Sequence, residues 1–495
     1  MNTSVDTTAP VDAPPRAATG IAGLDEILGG GLTRQRLYLI EGPPGGGKTT
    51  LALHFLLEGG RKGESGLYIT LSETELELRS VAASHGWSLE GMHIYEVTPN
   101  QDALKGDQQY TVFHPAEVEL SETTRAIREM VDRVKPMRVV FDSLSELRLL
   151  AGSTLRYRRQ VLALKQFLAE RGCTVLVLDD STSPENELHV QTLAHGIITL
   201  EQFQPEYGNE RRRLRVLKFR GAAYSAGYHD FVIRRGGITV FRRLVAAETR
   251  GPVWMERLPS GVPGIDNLMG GGIERGTSTL IAGAAGSGKS TLAVQFACAA
   301  AARGERAALF LFDESVNTLV SRCSGLGLEI RAHLAADRIT TQQIDPAELC
   351  PGELTHAIAR AADEGASIVV IDSLNGYLHA LPEERFLLIQ LHELLTYLAE
   401  KGAATIIVGA QRGIIGPNMQ TPADASYLAD AVVLLRYYEA EGEVHQALSV
   451  VKKRGGGHER SIREFRLTPE GIRVGEPLRH FRGVLTGVPV HKDAR

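Results

Sequence analysis

Cysteine, aromatic residues and long apolar runs are all scarce in this 495-residue sequence. Its four cysteines (Cys173, Cys298, Cys323 and Cys350) lie far apart and form no CxxC pair, which argues against a disulfide framework or a structural zinc site. No apolar run is long enough to span a bilayer, and the first residues lack the basic start and apolar core of a signal peptide. We therefore expect a cytoplasmic protein with buried thiols and a disordered tail at residues 1–18.

A surplus of positive charge is also missing. Lysine and arginine total 54 against 59 aspartates and glutamates, a formal charge of -5. Proteins that bind the nucleic-acid backbone usually carry a basic surface, so the composition argues against such a partner. One local exception is the stretch Arg211-RRLRVLKFR, whose alternation predicts an edge strand with arginines facing solvent or a neighbouring subunit.

Glycine is abundant, with 52 residues that cluster at matching places in two halves. Residues 19–33 (TGIAGLDEILGGGLT) recur as residues 260–274 (SGVPGIDNLMGGGIE), displaced by 241 positions. A period of this length is that of a whole domain and predicts a tandem duplication. The predicted organisation is a first domain at 19–247, a linker at 248–257, a second domain at 258–484 and a short tail at 485–495.

Within each half, short apolar runs alternate with amphipathic helical stretches. This alternation predicts an α/β fold, in which helices cover a mostly parallel sheet. The last part of each half is richer in glycine, tyrosine and alternating residues, which predicts antiparallel strands at one edge of the sheet.

The motif GxxxxGK(S/T) occurs twice, each time between a predicted strand and a predicted helix, as a phosphate-binding loop requires. Glycines let successive N–H groups point at one anion, the lysine neutralises the outer phosphates, and Thr49 or Ser290 offers a hydroxyl to Mg²⁺. ATP and Mg²⁺ are the predicted cofactors. The predicted nucleotide-binding residues are Gly42, Gly45, Gly46, Gly47, Lys48, Thr49 and Thr50, and Gly283, Gly286, Ser287, Gly288, Lys289, Ser290 and Thr291.

Acidic residues follow other predicted strands. Asp142 and Asp372 each end an aliphatic run, where a carboxylate can hold Mg²⁺ or its water; a structural aspartate that caps the next turn is the alternative. Glu73 and the pair Asp313-Glu314 lie 24 or 25 residues after the loop lysines and are the predicted catalytic carboxylates, with Asp313 also a candidate metal ligand.

The two sets of acids differ in number. The position that matches Asp313 is Ser72 in the first half, so the first site has one carboxylate where the second has two. This asymmetry could separate the activities of the two sites.

Late in each half a Lys-x-Arg-Gly element recurs, with Lys218 and Arg220 in the first copy and Lys452 and Arg454 in the second. The chain has already passed through its parallel core at these points. We expect these cations to reach the triphosphate of a neighbouring subunit; solvated edge charges are the alternative.

Together these motifs resemble the KaiC family of RecA-like ATPases in its two-domain form. The resemblance implies two tandem RecA-like P-loop domains and a homohexameric ring with ATP between subunits, where the Lys-x-Arg cations reach across. It also implies slow ATP hydrolysis in the first ring and, in clock members of the family, autophosphorylation and dephosphorylation in the second.

The chain departs from the clock members of that family. Where they carry adjacent serine and threonine phosphoacceptors, this sequence has Ser426-Tyr427, with Thr421 nearby as a second candidate acceptor. Arg212 matches a family arginine whose second-half counterpart is Gln446. Little sequence follows Phe481-RGVLTGVP to bind a KaiA-like regulator, whereas a KaiB-like or other signalling partner remains compatible.

These observations predict a ring-forming ATPase with serine autokinase activity at Ser426, acting as a signalling or timing switch. Two alternatives come from other classes of protein: a RecA-like nucleic-acid motor, and a scaffold that nucleotide merely assembles.

Overall fold

The computed structural model of the chain describes residues 14–97, 115–180, 191–205, 207–248, 251–379, 387–411, 425–486 and 490–491. The chain divides into two compact units, and the division falls between Arg243 and Leu244. The duplication predicted from the sequence corresponds to two sheets of the same design, one in each unit.

The first unit is built on a nine-stranded sheet with the order β11-β10-β9-β8-β3-β7-β6-β4-β5. Its strands are β1 (Arg16–Ala17), β2 (Leu32–Thr33), β3 (Leu37–Gly42), β4 (Gly66–Thr70), β5 (His93–Glu96), β6 (Arg138–Asp142), β7 (Thr174–Asp180), β8 (Gly196–Phe203), β9 (Arg211–Phe219), β10 (His229–Arg234) and β11 (Gly237–Phe241). The six strands from β8 to β5 are parallel, and β9, β10 and β11 continue the sheet in antiparallel fashion.

Helices cover both faces of this sheet. They are α1 (Ala22–Ile27), α2 (Lys48–Arg61), α3 (Glu75–Ser84), α4 (Pro115–Val134), α5 (Leu144–Ala151) and α6 (Thr154–Glu170). Successive residues of β3 point to opposite faces, so Tyr38 and Ile40 pack in one hydrophobic cluster and Leu37 and Leu39 in another. Burial on both faces explains why the parallel strands appear in the sequence as continuous apolar runs.

The second unit repeats the design with the sheet order β16-β15-β17-β18-β14-β19-β20-β21-β22. Its strands are β12 (Arg257–Leu258), β13 (Ile273–Glu274), β14 (Ser278–Gly283), β15 (Arg306–Leu311), β16 (Ile339–Gln343), β17 (Ala366–Asp372), β18 (Ala404–Ala410), β19 (Ala431–Ala440), β20 (Glu443–Lys453), β21 (Arg463–Thr468), β22 (Gly471–Pro477), β23 (Phe481–Arg482) and β24 (Val490–His491). Its helices are α7 (Pro263–Leu268), α8 (Lys289–Ala302), α9 (Val316–Gly325), α10 (Ile330–Ala335), α11 (Pro351–Asp363), α12 (Leu374–His379) and α13 (Leu387–Glu400), and 3₁₀ turns lie at Ala246–Glu248, Ala425–Tyr427 and Val484–Thr486.

The prediction of two α/β domains with mostly parallel sheets and antiparallel edges is confirmed. In each sheet the strand before the phosphate loop, β3 or β14, is central and parallel to both of its neighbours. The carboxyl ends of the parallel strands meet at one sheet edge, where open α/β sheets bind their ligands. In each sheet, this edge carries the phosphate loop and the acids that lie at or after the strand ends.

One local prediction was wrong. The arginine-rich stretch from Arg211 is β9, which pairs with β8 along its length and with β10 at residues 212–214, so it is not an edge strand. Arg211 itself is buried. The alternating pattern was identified correctly, but alternation does not distinguish an outer strand from one with two neighbours.

The four cysteines are buried and unpaired, as predicted. Among the described helices, none has the length and apolar character that crossing a membrane requires.

Candidate functional site

Each phosphate loop links a central strand to a helix, β3 to α2 and β14 to α8. The two loops have nearly the same backbone: φ is 97° at Gly47 and 94° at Gly288, the residues that precede the helices. These left-handed values favour glycine. A Cβ at Gly47 would also lie 2.7 Å from Ile233 Cδ1. The helix N-terminus therefore opens onto the loop with its first N–H groups available to an anion.

The loop lysines lie inside these turns. Lys48 Nζ donates to the carbonyls of Gly42 (2.8 Å) and Pro43 (3.0 Å), and it pairs with Asp180 at 2.7 Å. Lys289 Nζ donates to the Ala284 carbonyl at 2.7 Å, and burial lowers its pKa while Asp372 opposes that shift. Both ammonium groups are thus held where the outer phosphates of a nucleotide would lie. Asp180 was not singled out in the sequence, because its counterpart at the end of β18 is Ala410.

The strand-end aspartates lie at this edge of their sheets, where Asp142 is buried and Asp372 is half-buried. Asp142 ends β6 and accepts a 2.5 Å hydrogen bond from the Tyr68 hydroxyl, and Asp372 ends β17 beside the Ser290 hydroxyl. Burial raises the pKa of both carboxyls. A P-loop hydroxyl next to a carboxylate is the donor set that Mg²⁺ accepts together with phosphate oxygens, so these residues fit the metal.

Tyr68 is a partner of Asp142 that the sequence interpretation missed. It lies on β4, and its ring is fully buried. Burial, followed by the Asp142 charge, raises the pKa of Tyr68 well above its usual value, so the phenol stays protonated and donates. The matching residue in the second unit is Leu309, which has no hydroxyl, and therefore the repeat itself gave no signal.

We expect Tyr68→Phe to raise the Mg²⁺ concentration that half-saturates first-domain ATP turnover by about tenfold, because partners that orient a metal-linked carboxylate typically contribute that much. The measurement is phosphate release against Mg²⁺ in a Lys289→Ala background, which silences the second site. An unchanged Mg²⁺ requirement would exclude an orienting role for this phenol.

Glu73 is held close to Asp142 in the first site. Its backbone is fixed by Thr70, whose hydroxyl donates to the Glu73 carbonyl at 2.7 Å and accepts from the Glu73 N–H at 2.9 Å. Its Oε2 is buried and has no hydrogen-bond partner among the described residues. Burial, and then repulsion from Asp142 and Glu77, raise the pKa of Glu73. A half-buried carboxylate with a raised pKa and a vacant oxygen is suited to accept a proton.

Both acids of the second site accept hydrogen bonds from neighbouring side chains. Asp313 accepts a 2.6 Å hydrogen bond from the Ser373 hydroxyl. Glu314 is bound by Arg322 through two hydrogen bonds of 3.0 and 2.7 Å. Arg322 was also missed from the sequence, because Val81 occupies the matching position and the repeat comparison favoured residues that both halves share.

These residues line a cavity of about 710 Å³ in the second unit. Its walls include the loop residues Gly286, Gly288, Lys289, Ser290 and Thr291 together with Asp313, Glu314, Arg322 and Asp372. The volume lies within the range of small-molecule sites. The predicted phosphate, metal and acid positions of the second site therefore converge on one cavity.

The Lys-x-Arg cations lie at the opposite sheet edge. Lys218 pairs with Ile197 near the start of β8, and Lys452 pairs with Val432 near the start of β19. Strand residues rise about 3.3 Å each, so the six residues of β14 separate this edge from the phosphate loop by roughly 17 Å. These cations consequently do not contribute to the phosphate site of their own domain.

Ser426 lies beside the second pair of cations and is exposed. Lys452 Nζ donates to the Ser426 carbonyl at 2.7 Å, and Arg454 donates to the Tyr427 carbonyl at 2.8 Å. The first unit has the same arrangement, in which Lys218 donates to the Gln191 carbonyl at 2.6 Å and Arg220 to the Thr192 carbonyl at 3.3 Å. Thr421, the other candidate acceptor, lies outside the described residues.

The fold and the sites define a tandem RecA-like P-loop ATPase. Comparison with known proteins agrees: the family model described as "ATPase: KaiC" matches residues 17–245 and 258–479. The chain therefore belongs to the KaiC ATPase family.

Curated relatives align along nearly the whole chain. Circadian clock protein KaiC3 of Synechocystis sp. (strain ATCC 27184 / PCC 6803 / Kazusa) is 26% identical over 493 residues, covering 97% of this chain and 95% of the relative. The circadian clock oscillator protein KaiC of Parasynechococcus marenigrum (strain WH8102) is 28% identical over 502 residues, covering 95% and 92%. The protein of that name from Thermosynechococcus vestitus (strain NIES-2133 / IAM M-273 / BP-1) is 28% identical over 486 residues, covering 95% and 91%.

Proposed function

We propose that this KaiC-family ATPase assembles through ATP into a homohexameric ring and transfers phosphate to its own Ser426, so that it acts as a signalling or timing switch. The observation that carries the proposal is the location of Lys452, Arg454 and Ser426 together at the sheet edge away from their own phosphate loop. A neighbouring subunit is then the natural source of the triphosphate that these cations neutralise.

Both phosphate loops would bind ATP through the residues named from the sequence. Thr49 and Asp142 would hold Mg²⁺ in the first site, and Ser290 with Asp372 and Asp313 would hold it in the second, where the ion would neutralise the charge of the outer phosphates. Glu73 would accept the proton of the attacking water in the first domain. Its vacant buried oxygen and raised pKa support this role.

In the second domain, the Ser426 hydroxyl would attack the γ-phosphorus of the ATP bound by the neighbouring subunit. The bond from phosphorus to the bridging oxygen breaks, ADP leaves, and the hydroxyl proton passes to a carboxylate, for which Asp313 is the candidate and Glu314 its companion. Lys452 and Arg454 stabilise the charge on the transferred group. The same cations bind the carbonyls of residues 426 and 427, which couples the acceptor to the phosphate contact.

The other parts of the proposal concern organisation and setting. The domains would span residues 19–247 and 258–484, and the protein would be cytoplasmic with a KaiB-like or other signalling partner. Nucleic acid is not expected as a partner, because the chain is acidic overall. A nucleic-acid motor is not favoured by the family assignment.

The test is incubation of the purified chain with γ-labelled ATP and Mg²⁺, followed by mapping of the labelled peptide. We expect label on Ser426 in the wild-type protein and its loss in Ser426→Ala, while phosphate release continues in both. Label on Thr421 alone would identify Thr421 as the phosphoacceptor. Hydrolysis without any labelled protein would contradict the kinase activity and support the ATPase activity alone.

A further inference from the structure

An arginine from α9 enters the nucleotide cavity of the second domain. Arg322 lies eight residues after Glu314, and its helix begins where Ser315 caps the chain by accepting from the Thr318 N–H at 3.1 Å. This cap and two helical turns bring the guanidinium back to Glu314, which follows the end of β15. Arg322 lines the same cavity as Lys289 and Asp372.

All three guanidinium nitrogens of Arg322 have partners. Nε donates to Glu314 Oε1 at 3.0 Å and Nη2 to Glu314 Oε2 at 2.7 Å, while Nη1 donates to the Thr291 hydroxyl at 2.8 Å. Thr291 is a buried residue of the phosphate-loop helix. Two parallel bonds from a planar cation fix a carboxylate in orientation as well as in charge. Glu314 is therefore tied to the phosphate-loop helix through Arg322.

The first domain lacks this restraint. The position that matches Arg322 is Val81 on α3, and the matching acid, Glu73, has an oxygen with no hydrogen-bond partner among the described residues. At this helix position the two sites differ, and the hydrogen bonding of the matching acid differs as well.

We propose that Arg322 is a positioning residue that restrains Glu314 and so suppresses ATP hydrolysis in the second domain, keeping the nucleotide for transfer to a protein hydroxyl. This inference rests on the proposed function, in which the second site binds ATP and phosphorylates Ser426. A water molecule is activated by a carboxylate that is oriented to accept its proton, whereas each oxygen of Glu314 already accepts a charge-assisted hydrogen bond that orients the carboxylate towards Arg322. Asp313, which Arg322 does not contact in any described hydrogen bond, is left to serve the transfer reaction.

The experiment uses the full chain with Glu73→Gln, which removes the proposed base of the first site. In that background, Arg322→Met keeps the length of the side chain but removes the guanidinium, and Arg322→Lys keeps a charge without the two parallel bonds. We expect Arg322→Met to raise kcat for phosphate release by about tenfold or more, as a newly available general base does. KM for ATP should change less than about twofold, and Arg322→Lys should give an intermediate kcat.

The control that isolates the restraint is Glu314→Gln added to Arg322→Met. The gain in kcat should disappear, since it depends on the freed carboxylate. A kcat that is unchanged or lowered by Arg322→Met, or a gain that survives Glu314→Gln, would overturn the proposal. If Arg322→Met no longer binds ATP, Arg322→Lys decides in the same way: a raised kcat supports the restraint, and an equal or lower one contradicts it.

Failure of the proposed function would look different. Lys289→Ala in the same background reports whether the second site turns over ATP, and Ser426 labelling reports whether it transfers phosphate. If the wild-type chain shows no label on Ser426 but Arg322→Met still raises kcat, the proposed kinase activity is contradicted and the restraint of Glu314 by Arg322 is supported.

Discussion

Glu73→Gln is expected to lower ATP turnover in the first domain about 100-fold, because the amide cannot take a proton from the attacking water. The substitution keeps the shape of the side chain, and the Thr70 hydrogen bonds to the Glu73 backbone do not depend on the carboxylate. The measurement is kcat for phosphate release in a Lys289→Ala background, which confines turnover to the first site.

The same site should show a distinct pH dependence. Burial and the nearby Asp142 charge raise the pKa of Glu73, and a base works only when it is deprotonated. Turnover in the first domain should therefore fall as the pH decreases through this raised pKa, at a higher pH than an ordinary glutamate would give.

Ser72→Ala is the matched control for Glu73→Gln. Ser72 occupies the position of Asp313 but is exposed, so its loss should change kcat less than about twofold. Retention of most of the turnover in Glu73→Gln, with ATP still bound, would show that this carboxylate is not the base.

Phosphorylation between subunits is the second large effect that we expect. A Lys289→Ala chain has an intact Ser426 but an impaired second phosphate site, and a Ser426→Ala chain has the reverse. Neither chain should show label at residue 426 when it is incubated with ATP by itself. In a one-to-one mixture of the two chains combined before ATP is added, so that ATP assembles mixed rings, about half of the Lys289→Ala chains should become labelled, because each acceptor faces one neighbour in a ring.

The cations provide the control for this mixture. Adding Lys452→Met and Arg454→Met to the Lys289→Ala chain should reduce its labelling about 1000-fold, the effect of removing a cation supplied in trans to a phosphoryl group. Mixed chains that stay unlabelled, or Lys289→Ala chains that label themselves without a partner, would contradict transfer across the interface.

The sequence was informative wherever chemistry or burial imposes a pattern. The phosphate loops were predictable because glycine, lysine and hydroxyl residues are needed at fixed spacing, and the sheets because parallel strands buried on both faces form apolar runs. Asp142 and Asp372 followed from their position at the ends of such runs. The duplication strengthened each of these predictions, since the same pattern had to arise twice.

The residues that were missed are those in which the halves differ. Tyr68, Asp180 and Arg322 each contact a site residue that both halves share, yet their counterparts are Leu309, Ala410 and Val81. Comparison of the repeats selects shared residues and so passes over such partners. Their roles depend on which side chains approach across the sheet edge, and that information is carried by the tertiary structure.

Counting carboxylates also gave an incomplete comparison of the two sites. Two acids in the second site, against the single Glu73 of the first, suggested that the two sites differ in activity. The structure places Glu314 in a bidentate ion pair and leaves an oxygen of Glu73 without a partner among the described residues. The environment of an acid determines its use as much as its presence does.

Native mass spectrometry of the intact protein with ATP and Mg²⁺ tests the ring and the transfer reaction together. We expect a hexamer that carries two nucleotides per chain, with an added phosphate on chains that retain Ser426 and none on Ser426→Ala. A monomer that binds ATP at both sites, turns it over at the same rate at every protein concentration and gains no phosphate would contradict a switch that works across subunits.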